Sequence, residues 1–442
     1  MRKISIIGTG YVGLVSGAGI SEFGHNVICA DVDYQKIKSL KNGVVQIHEP
    51  GLDELVKRNL DARRLSFTEN IDNAIRQSEI IFIAVGTPQA EDGQADLSAV
   101  EAVSKTIGKN LNSYKIVSTK STVPVGTGNL ICNIISSYKN KQENFDYVSN
   151  PEFLREGSAV KDFLWPDRVV IGSESEKAFG VMKDIYRPLY INETPILHTN
   201  VQTAEMIKYA SNAFLALKIS YINEIANLCE EVGADVHQVS KGMGMDGRIS
   251  SKFLHPGPGY GGSCFPKDTF AIAKLSQKHG VRLNTVEATI KTNLFQKKRM
   301  VKKLKDLIGG TFFNNTIAVL GLSFKPNTDD VRDSSSIIMI QSIIDQGGKV
   351  NAYDPVSNAK MQKYFPSINY FNSWIDACHE VDGTVIMTDW NEFRGMDIGE
   401  LKLRVKNPVI LDTRNILSTE QLLFHGFKFS NVGRKLFDNK KN

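Results

Sequence analysis

Residues 3–33, KISIIGTGYVGLVSGAGISEFGHNVICADVD, decide how the chain begins to fold. Ile4, Ile6 and Ile7 lie in a short β-branched run that stops at Gly8, and a second apolar run, Val27-Ile28-Cys29-Ala30, stops at Asp31. Buried parallel strands are apolar almost throughout, so both runs predict strands of a parallel sheet, joined by a Gly-rich turn and a helix. Gly8 lets the chain turn tightly, Gly10 lets backbone approach a pyrophosphate, and Gly13 allows close helix–strand packing. Phosphates would meet the helix N-terminus, where free N–H groups and the helix dipole favour negative charge. Asp31 can accept hydrogen bonds from a ribose hydroxyl and would repel a 2′-phosphate, which predicts NAD rather than NADP.

Apolar runs at 80–88 (IIFIAVGTP) and 115–126 (KIVSTKSTVPVG) alternate with helix-like segments, which extends the reading to a doubly wound sheet. From about Val201 the pattern changes. TAEMIKYASNAFLALKISYINEIANLCEEVGAD has no Pro, its first Gly is Gly233, and its apolar residues recur at helical spacing. It predicts one long helix capped near Gly233, serving as a spine and, equally, as an ordinary core helix or a dimer contact. Near Asn315 a second unit begins, in which IAVLG answers SIIGTG and VNAYD, ending at Asp354, answers VICAD. The expected fold class is therefore α/β, with two Rossmann-like doubly wound domains joined by a helical core. The expected boundaries are 1–199, 200–305 and 306–442. The second unit lacks the third glycine, but its turn carries Lys325, Asp329, Asp330 and Arg332, polar enough to contact a ligand.

The 442 residues suit two or three domains at about 100–200 residues each. A net charge of +5 is too weak to argue for nucleic acid. No apolar run is long enough to span a bilayer, and the amino-terminal MRKISIIGTG breaks at Gly8, as a strand rather than a signal peptide would. Cys29, Cys132, Cys229, Cys264 and Cys378 are odd in number and form no C-x-x-C pair, which argues against a zinc site or a disulfide framework and for a reducing cytoplasm. The Lys-rich end GRKLFDNKKN reads as a frayed, solvated tail.

The densest chemistry lies at 257–275, GPGYGGSCFPKDTFAIAKL. Four glycines and Pro258 precede Cys264, and Pro266 suits the first turn of a helix that Asp268, Phe270 and Ile272 continue. A helix N-terminus lowers a thiol's pKa and so raises its nucleophilic thiolate fraction. The other four cysteines read as small buried hydrophobes. Gly261 and Gly262 are expected to leave room for a substrate against the backbone. A thiolate beside NAD suggests a sequence from alcohol to aldehyde, thiohemiacetal, thioester and acid.

Supporting groups are less sharply marked. Lys208 and Asn212 share a helix face and can stabilise an oxyanion, though a snorkelling Lys and a surface Asn fit the same spacing. Glu152 and Glu156, in NPEFLREG, are also four apart; one could activate a water, and a solvated acidic face fits the spacing better. Thr122 could bind a water or a substrate hydroxyl, or simply end a strand.

These blocks together resemble the UDP-glucose/GDP-mannose dehydrogenase family. The resemblance rests on GTGYVG, DVDYQKI, HEPGL, VGTP with D-G-x-x-D, KSTVPVGT, NPEFLREG, AEMIKYASNAFLALKISYINE, GYGGSCFPKD, GLSFKPNTDDVRDS and DTRN at 412–415, in that order over nearly the whole chain. It implies two Rossmann-like domains about a long helix and NAD-dependent, two-step oxidation of the C6 alcohol of UDP-glucose to UDP-glucuronate, by a cytoplasmic homodimer formed through the central helix. GDP-mannose or another UDP-hexose is the alternative substrate; Ser rather than His before Cys264 disfavours UDP-N-acetylmannosamine. It implies Cys264 as nucleophile, Lys208 and Asn212 as oxyanion partners, Asp268 near thiol and Lys, Glu152 at the hydrolytic water and Thr122 beside it. The cofactor set becomes Gly8, Gly10, Tyr11, Val12, Gly13, Asp31, Lys36, Thr87, Pro88, Thr122, Glu156 and Arg332. The substrate set becomes Phe153, Leu154, Glu156, Lys208, Asn212, Phe253, His255, Gly261, Phe324, Lys325 and Arg414, with Arg248 reaching a neighbouring subunit's substrate. His255 departs from the family's usual Lys and replaces a permanent cation with an imidazole.

Two other classes are expected to fail. An NAD-dependent epimerase would need a Tyr-x-x-x-Lys pair near the nicotinamide, and Tyr34 with Lys38 stands beside Asp31 at the adenosine end instead. A non-catalytic sensor would have no use for Cys264, Lys208, Asn212 and Asp268 together.

Overall fold

In the computed structural model, which describes residues 1–434, the two opening apolar runs pair as parallel neighbours, Ile4 opposite Val27 and Ile6 opposite Cys29. They are β1 (Lys3–Ile7) and β2 (Asn26–Ala30) of an eight-stranded sheet completed by β3 (Leu65–Thr68), β4 (Ile80–Ile83), β5 (Lys115–Thr119), β6 (Phe145–Ser149), β7 (Val169–Gly172) and β8 (Ile196–Thr199). The order is β3-β2-β1-β4-β5-β6-β7-β8, and every pairing is parallel except β6 with β7. The pleat explains the unbroken hydrophobicity. Ile80 and Phe82 pack on one face with Leu14, Val15 and Ala18 of the helix Tyr11–Glu22; Ile81 and Ile83 pack on the other with Val100, Ile107 and Ile131. A sheet covered on both faces favours apolar side chains, and the polar ones it does bury, such as Ser5 and Ser118, are mostly small.

The second sheet repeats the arrangement. It comprises β9 (Thr316–Leu320), β10 (Lys349–Tyr353), β11 (Asn369–Tyr370), β12 (Gly383–Ile386), β13 (Val409–Asp412) and β14 (Lys428–Asn431), in the order β11-β10-β9-β12-β13-β14, all parallel. Ile317 and Val319 face one apolar cluster, Ala318 and Leu320 the other. This order and that of the first six strands are the 3-2-1-4-5-6 of a Rossmann fold, in which ligands bind beyond the carboxyl ends of the strands where the order reverses. The echo extends to hydrogen bonds. Asp31 accepts from Thr9 N at 2.8 Å after β1, and Asp354 accepts from Leu322 N at 2.7 Å after β9.

The long helix runs Val201–Val232. Gly233, at φ +77°, turns the chain out of it, and Ala234 N donates to Cys229 O at 3.0 Å, a closure that favours glycine. The chain folds as two compact units, Met1–Ser211 and Asn212–Asn442, whose boundary falls within this helix. Among the described residues no helix is long and apolar enough to cross a membrane. The Lys-rich end read as a frayed tail lies, from Lys435 on, outside the described residues.

Candidate active site

In the first unit the turn after β1 is shaped by its glycines. Gly8, at φ +102°, donates its N–H to Ala30 O at 2.8 Å, and a Cβ there would lie 2.6 Å from Ala84 O. A Cβ on Gly13 would lie 1.9 Å from Gly8 O, whereas one on Gly10 would meet nothing within 4 Å. The middle glycine therefore borders open space and the outer two are required by packing. Asp31 Oδ2 also accepts from Thr9 Oγ1 at 2.7 Å and Lys36 Nζ at 3.2 Å, while Oδ1 accepts from Asp33 N at 3.1 Å. Burial works to raise its pKa, but the bonds from Thr9 and Asp33 with the Lys36 charge hold it below the usual carboxylate value. Thr87 is buried and donates Oγ1 to Thr122 O at 2.8 Å, which ties the loops after β4 and β5; Pro88 is exposed.

The loop after β6 carries Glu152. Lys208 Nζ donates to Glu152 Oε1 at 2.9 Å, and both side chains are 4% exposed. Leu154 N donates to Glu152 Oε2 at 2.5 Å. The expected alternatives of a solvated acidic face and a snorkelling lysine are thus corrected. Residues 151–155 are irregular, so four-residue spacing does not put Glu152 and Glu156 on a helix face, and the Glu152–Lys208 pair is buried. Phe153 is stacked by Arg168, whose guanidinium carbon lies 3.6 Å from the ring centre; Lys208 Nζ lies 5.4 Å away.

Sequence reasoning missed Glu49 of the HEPGL block. It is buried, bonds to the Tyr11 hydroxyl, and accepts from Gly157 N at 2.6 Å and Ala159 N at 2.7 Å. Burial first, then Glu49 itself, push the Tyr11 phenol far up, so Tyr11 stays neutral beside the Glu156 loop. Glu205 was also missed: it accepts from Gly126 N at 2.7 Å and Gly128 N at 2.8 Å, and burial raises it to about 7 against those bonds.

In the second unit Cys264 is the N-cap of the helix Phe265–Lys278, with Pro266 in its first turn as expected. Its Sγ lies 3.6 Å from Ser263 Oγ. Asp268, fully buried one turn on, accepts from Asn212 Nδ2 at 2.6 Å and Lys267 Nζ at 2.6 Å. Asn212 is itself buried, not a surface amide. The four remaining cysteines are held as thiols. Burial pushes Cys132 up to about 11 and Cys378 to about 12, and raises Cys29 and Cys229 as well.

The loop before Cys264 is held by side chains that sequence reading did not single out. Gly257 N donates to Asn223 Oδ1 and Tyr260 N to Asn293 Oδ1, both at 2.8 Å; Gln296 Nε2 donates to Gly257 O at 2.8 Å. Asn293 and Gln296 lie on the helix Asn284–Leu307 and Asn223 on Val201–Val232, and in sequence such amides are indistinguishable from a solvated face. Gly261 and Gly262 also meet a packing requirement. A Cβ on Gly261 would lie 2.4 Å from Asp333 O, and one on Gly262 2.7 Å from the Phe324 ring, so both glycines serve close packing. Phe324 thereby lies against the Cys264 loop, and Lys325 Nζ stands 5.3 Å from its ring. Arg414 is half-buried and donates to Met387 O at 2.7 Å and Phe324 O at 2.9 Å. Arg332 grips Asp330 through two nitrogens, at 2.8 and 2.7 Å. Phe253 has φ +66°, with Phe265 at 6.1 Å edge-on. His255 is exposed, as is Arg248, which pairs with Asp246 at 2.6 Å.

Residues 2–190, 202–294 and 318–419 match the NAD binding domain, the central domain and the UDP binding domain profiled for the UDP-glucose/GDP-mannose dehydrogenase family. The chain is 49% identical to a UDP-glucose 6-dehydrogenase of Rhizobium meliloti over 98% of its own length and 99% of that protein's. It is 48% identical to one of Bacillus subtilis, over 98% and 94%. Its fold is similar to the structure of a UDP-glucose dehydrogenase from Pyrobaculum islandicum, with a TM-score of 0.92, 36% identity and 98% of both chains covered.

Proposed function

The chain belongs to the UDP-glucose/GDP-mannose dehydrogenase family, and from that premise we propose that it is an NAD-dependent UDP-glucose 6-dehydrogenase, carrying the C6 alcohol to the acid through a Cys264 thioester. The observation that carries the reading is Cys264 at a helix N-cap with buried Asp268 one turn on, in a chain whose near-full-length relatives are UDP-glucose 6-dehydrogenases.

The residues fit NAD. The open side of Gly10, the helix N-terminus behind it and Asp31 are what a pyrophosphate and a ribose require. When bound, NAD supplies a hydride acceptor. Tyr11, Val12, Lys36, Thr87, Pro88, Thr122, Glu156 and Arg332 complete the cofactor set by family resemblance. Gly13→Ala is expected to destabilise the fold by about 3 kcal/mol or more, because backbone must move. Gly10→Ala should leave the melting temperature unchanged yet raise the Kd for NAD about tenfold or more, ~1.4 kcal/mol. Thermal melts and calorimetric titration check both; wild-type NAD affinity in Gly10→Ala would remove this turn from the cofactor site.

Each catalytic role is bounded by what its residue can do. The Cys264 thiolate adds to the aldehyde carbon and gives a thiohemiacetal, which becomes a thioester on loss of hydride. Lys208 and Asn212 stabilise the oxyanion. For hydrolysis a water oxygen adds to the thioester carbon, its proton passes to Glu152, and the C–S bond breaks to return the thiolate. Asp268, held by Asn212 and Lys267, orients Asn212. Phe153, Leu154, Phe253, His255, Gly261, Phe324, Lys325 and Arg414 are assigned to UDP-sugar contacts by resemblance, with 306–442 as the UDP-sugar domain, 1–199 as the NAD domain and 200–305 between them. NADH formation should be fastest with UDP-glucose among UDP-glucose, GDP-mannose, UDP-galactose and UDP-N-acetylmannosamine. Preference for another sugar would keep the chemistry and move the substrate.

A homodimer through the long helix is supported by its own pattern. Phe214, Tyr221 and Leu228 recur every seventh residue and are 60%, 45% and 56% exposed. Light scattering should return twice the chain's mass, and Tyr221→Glu with Leu228→Glu should return the single mass; a wild-type monomer contradicts the dimer. Arg248 would then reach the neighbouring copy's substrate. Five free cysteines suit the cytoplasm.

A further inference from the structure

One buried cation in the first unit has no part in the chemistry above. Lys120 follows β5 and is 5% exposed. Its Nζ donates to Asn150 Oδ1 at 3.1 Å and to the Tyr186 hydroxyl at 3.2 Å, and that hydroxyl donates to the same Asn150 oxygen at 2.6 Å. Asn150 is fully buried and anchored further, its N–H to Thr119 O at 3.0 Å and Nδ2 to Val170 O at 2.8 Å. Both hydrogen-bond partners of the ammonium are neutral. Burying an ammonium on neutral dipoles is costly, and an apolar side chain would fill the same space at lower cost. What the charge gains is position. Asn150 leads through Pro151, whose φ is fixed, to Glu152, and Glu152 is already bonded to a second buried cation, Lys208.

We propose that Lys120 is a positioning residue for the hydrolytic half of the reaction: through Asn150 and Tyr186 it fixes the turn that carries Glu152, and its charge shares with Lys208 in balancing that carboxylate. The proposal rests on the functional reading above, in which Glu152 takes the proton of the attacking water. The charged or titratable groups acting on Lys120 are Glu152 and Lys208, together with the Tyr186 phenol it touches. Burial lowers Lys120 to about 8; Glu152 opposes the shift and Lys208 adds to it. The ammonium is therefore complete below that pH and lost above it, so hydrolysis falls as pH rises through about 8.

The test follows Cys264 by intact-protein mass spectrometry and NADH by absorbance, with UDP-glucose and NAD. In Lys120→Met the steady-state rate should fall about 10²-fold with acyl-enzyme accumulating, the KM values staying within about twofold, and the inflection near pH 8 should disappear. Tyr186→Phe keeps the charge but removes a hydrogen-bond partner of the ammonium, so its inflection should move to lower pH. A folded Lys120→Met with the wild-type pH profile and no accumulated acyl-enzyme overturns the proposal. If that variant does not fold, an unmoved inflection in Tyr186→Phe overturns it. Unsubstituted protein that forms neither NADH nor an adduct on Cys264 overturns the functional reading itself.

Discussion

Cys264→Ala is expected to lose UDP-glucose oxidation by about 10³-fold or more while binding both NAD and UDP-glucose. The size follows from the loss of the only group assigned to hold the carbonyl covalently between the two oxidations. Cys264 makes no side-chain capping bond to the helix Phe265–Lys278, so its loss does not uncap that helix. Its removal therefore costs less than the ~1 kcal/mol of a working cap. Cys264→Ser separates chemistry from folding further. Serine is a better N-cap than cysteine, so this variant should melt no lower than wild type, yet its hydroxyl stays protonated and cannot take over the thiolate's addition. Rates by NADH absorbance, melts by circular dichroism and binding by calorimetry read the three quantities separately. Full turnover in Cys264→Ala would remove the covalent route and return the epimerase and sensor readings.

Lys208→Met is expected to lower both stability and rate. Glu152 would stay in a site where its side chain is 4% exposed, with the ammonium it is bonded to gone. Removing one member of a buried pair costs about 3–5 kcal/mol, because the other charge is left uncompensated. The same change removes an oxyanion partner and should cut kcat by about 10²–10³-fold. Adding Glu152→Gln to Lys208→Met should recover part of the stability and none of the rate, since neighbouring substitutions of this kind are not additive. Urea denaturation gives the first and steady-state kinetics the second. A Lys208→Met protein as stable as wild type would contradict the buried pairing.

Most of the fold was legible because it rests on local rules. The run Ile4–Ile7, Gly8 and Asp31 encode a strand, a turn and a second strand whatever packs around them, and Val201–Val232 holds one period until Gly233 stops it. Cys264 was legible for the same reason: Pro266 and Asp268 mark a helix start in the sequence itself. The rest depends on partners distant in the chain. β7 and β8 are four-residue strands, and β7 meets β6 antiparallel through a single residue pair, Ser149 with Gly172, so no periodicity announces them. Glu152 and Glu156 shared a spacing that suits a helix face, but Pro151 and the loop after β6 put Glu152 on Lys208, 56 residues away. Glu49, Lys120, Glu205, Asn293 and Gln296 read as ordinary polar residues because burial, which makes them matter, is not written locally.

One site is expected to carry an alcohol through an enzyme-bound thioester to an acid. The most direct measurement is the yield of NADH from limiting UDP-glucose with NAD in excess, together with the identity of the product. Two NADH per UDP-glucose are expected, with UDP-glucuronate as the product. One NADH per UDP-glucose, with an aldehyde as product, would contradict this and leave Cys264 without the role assigned to it.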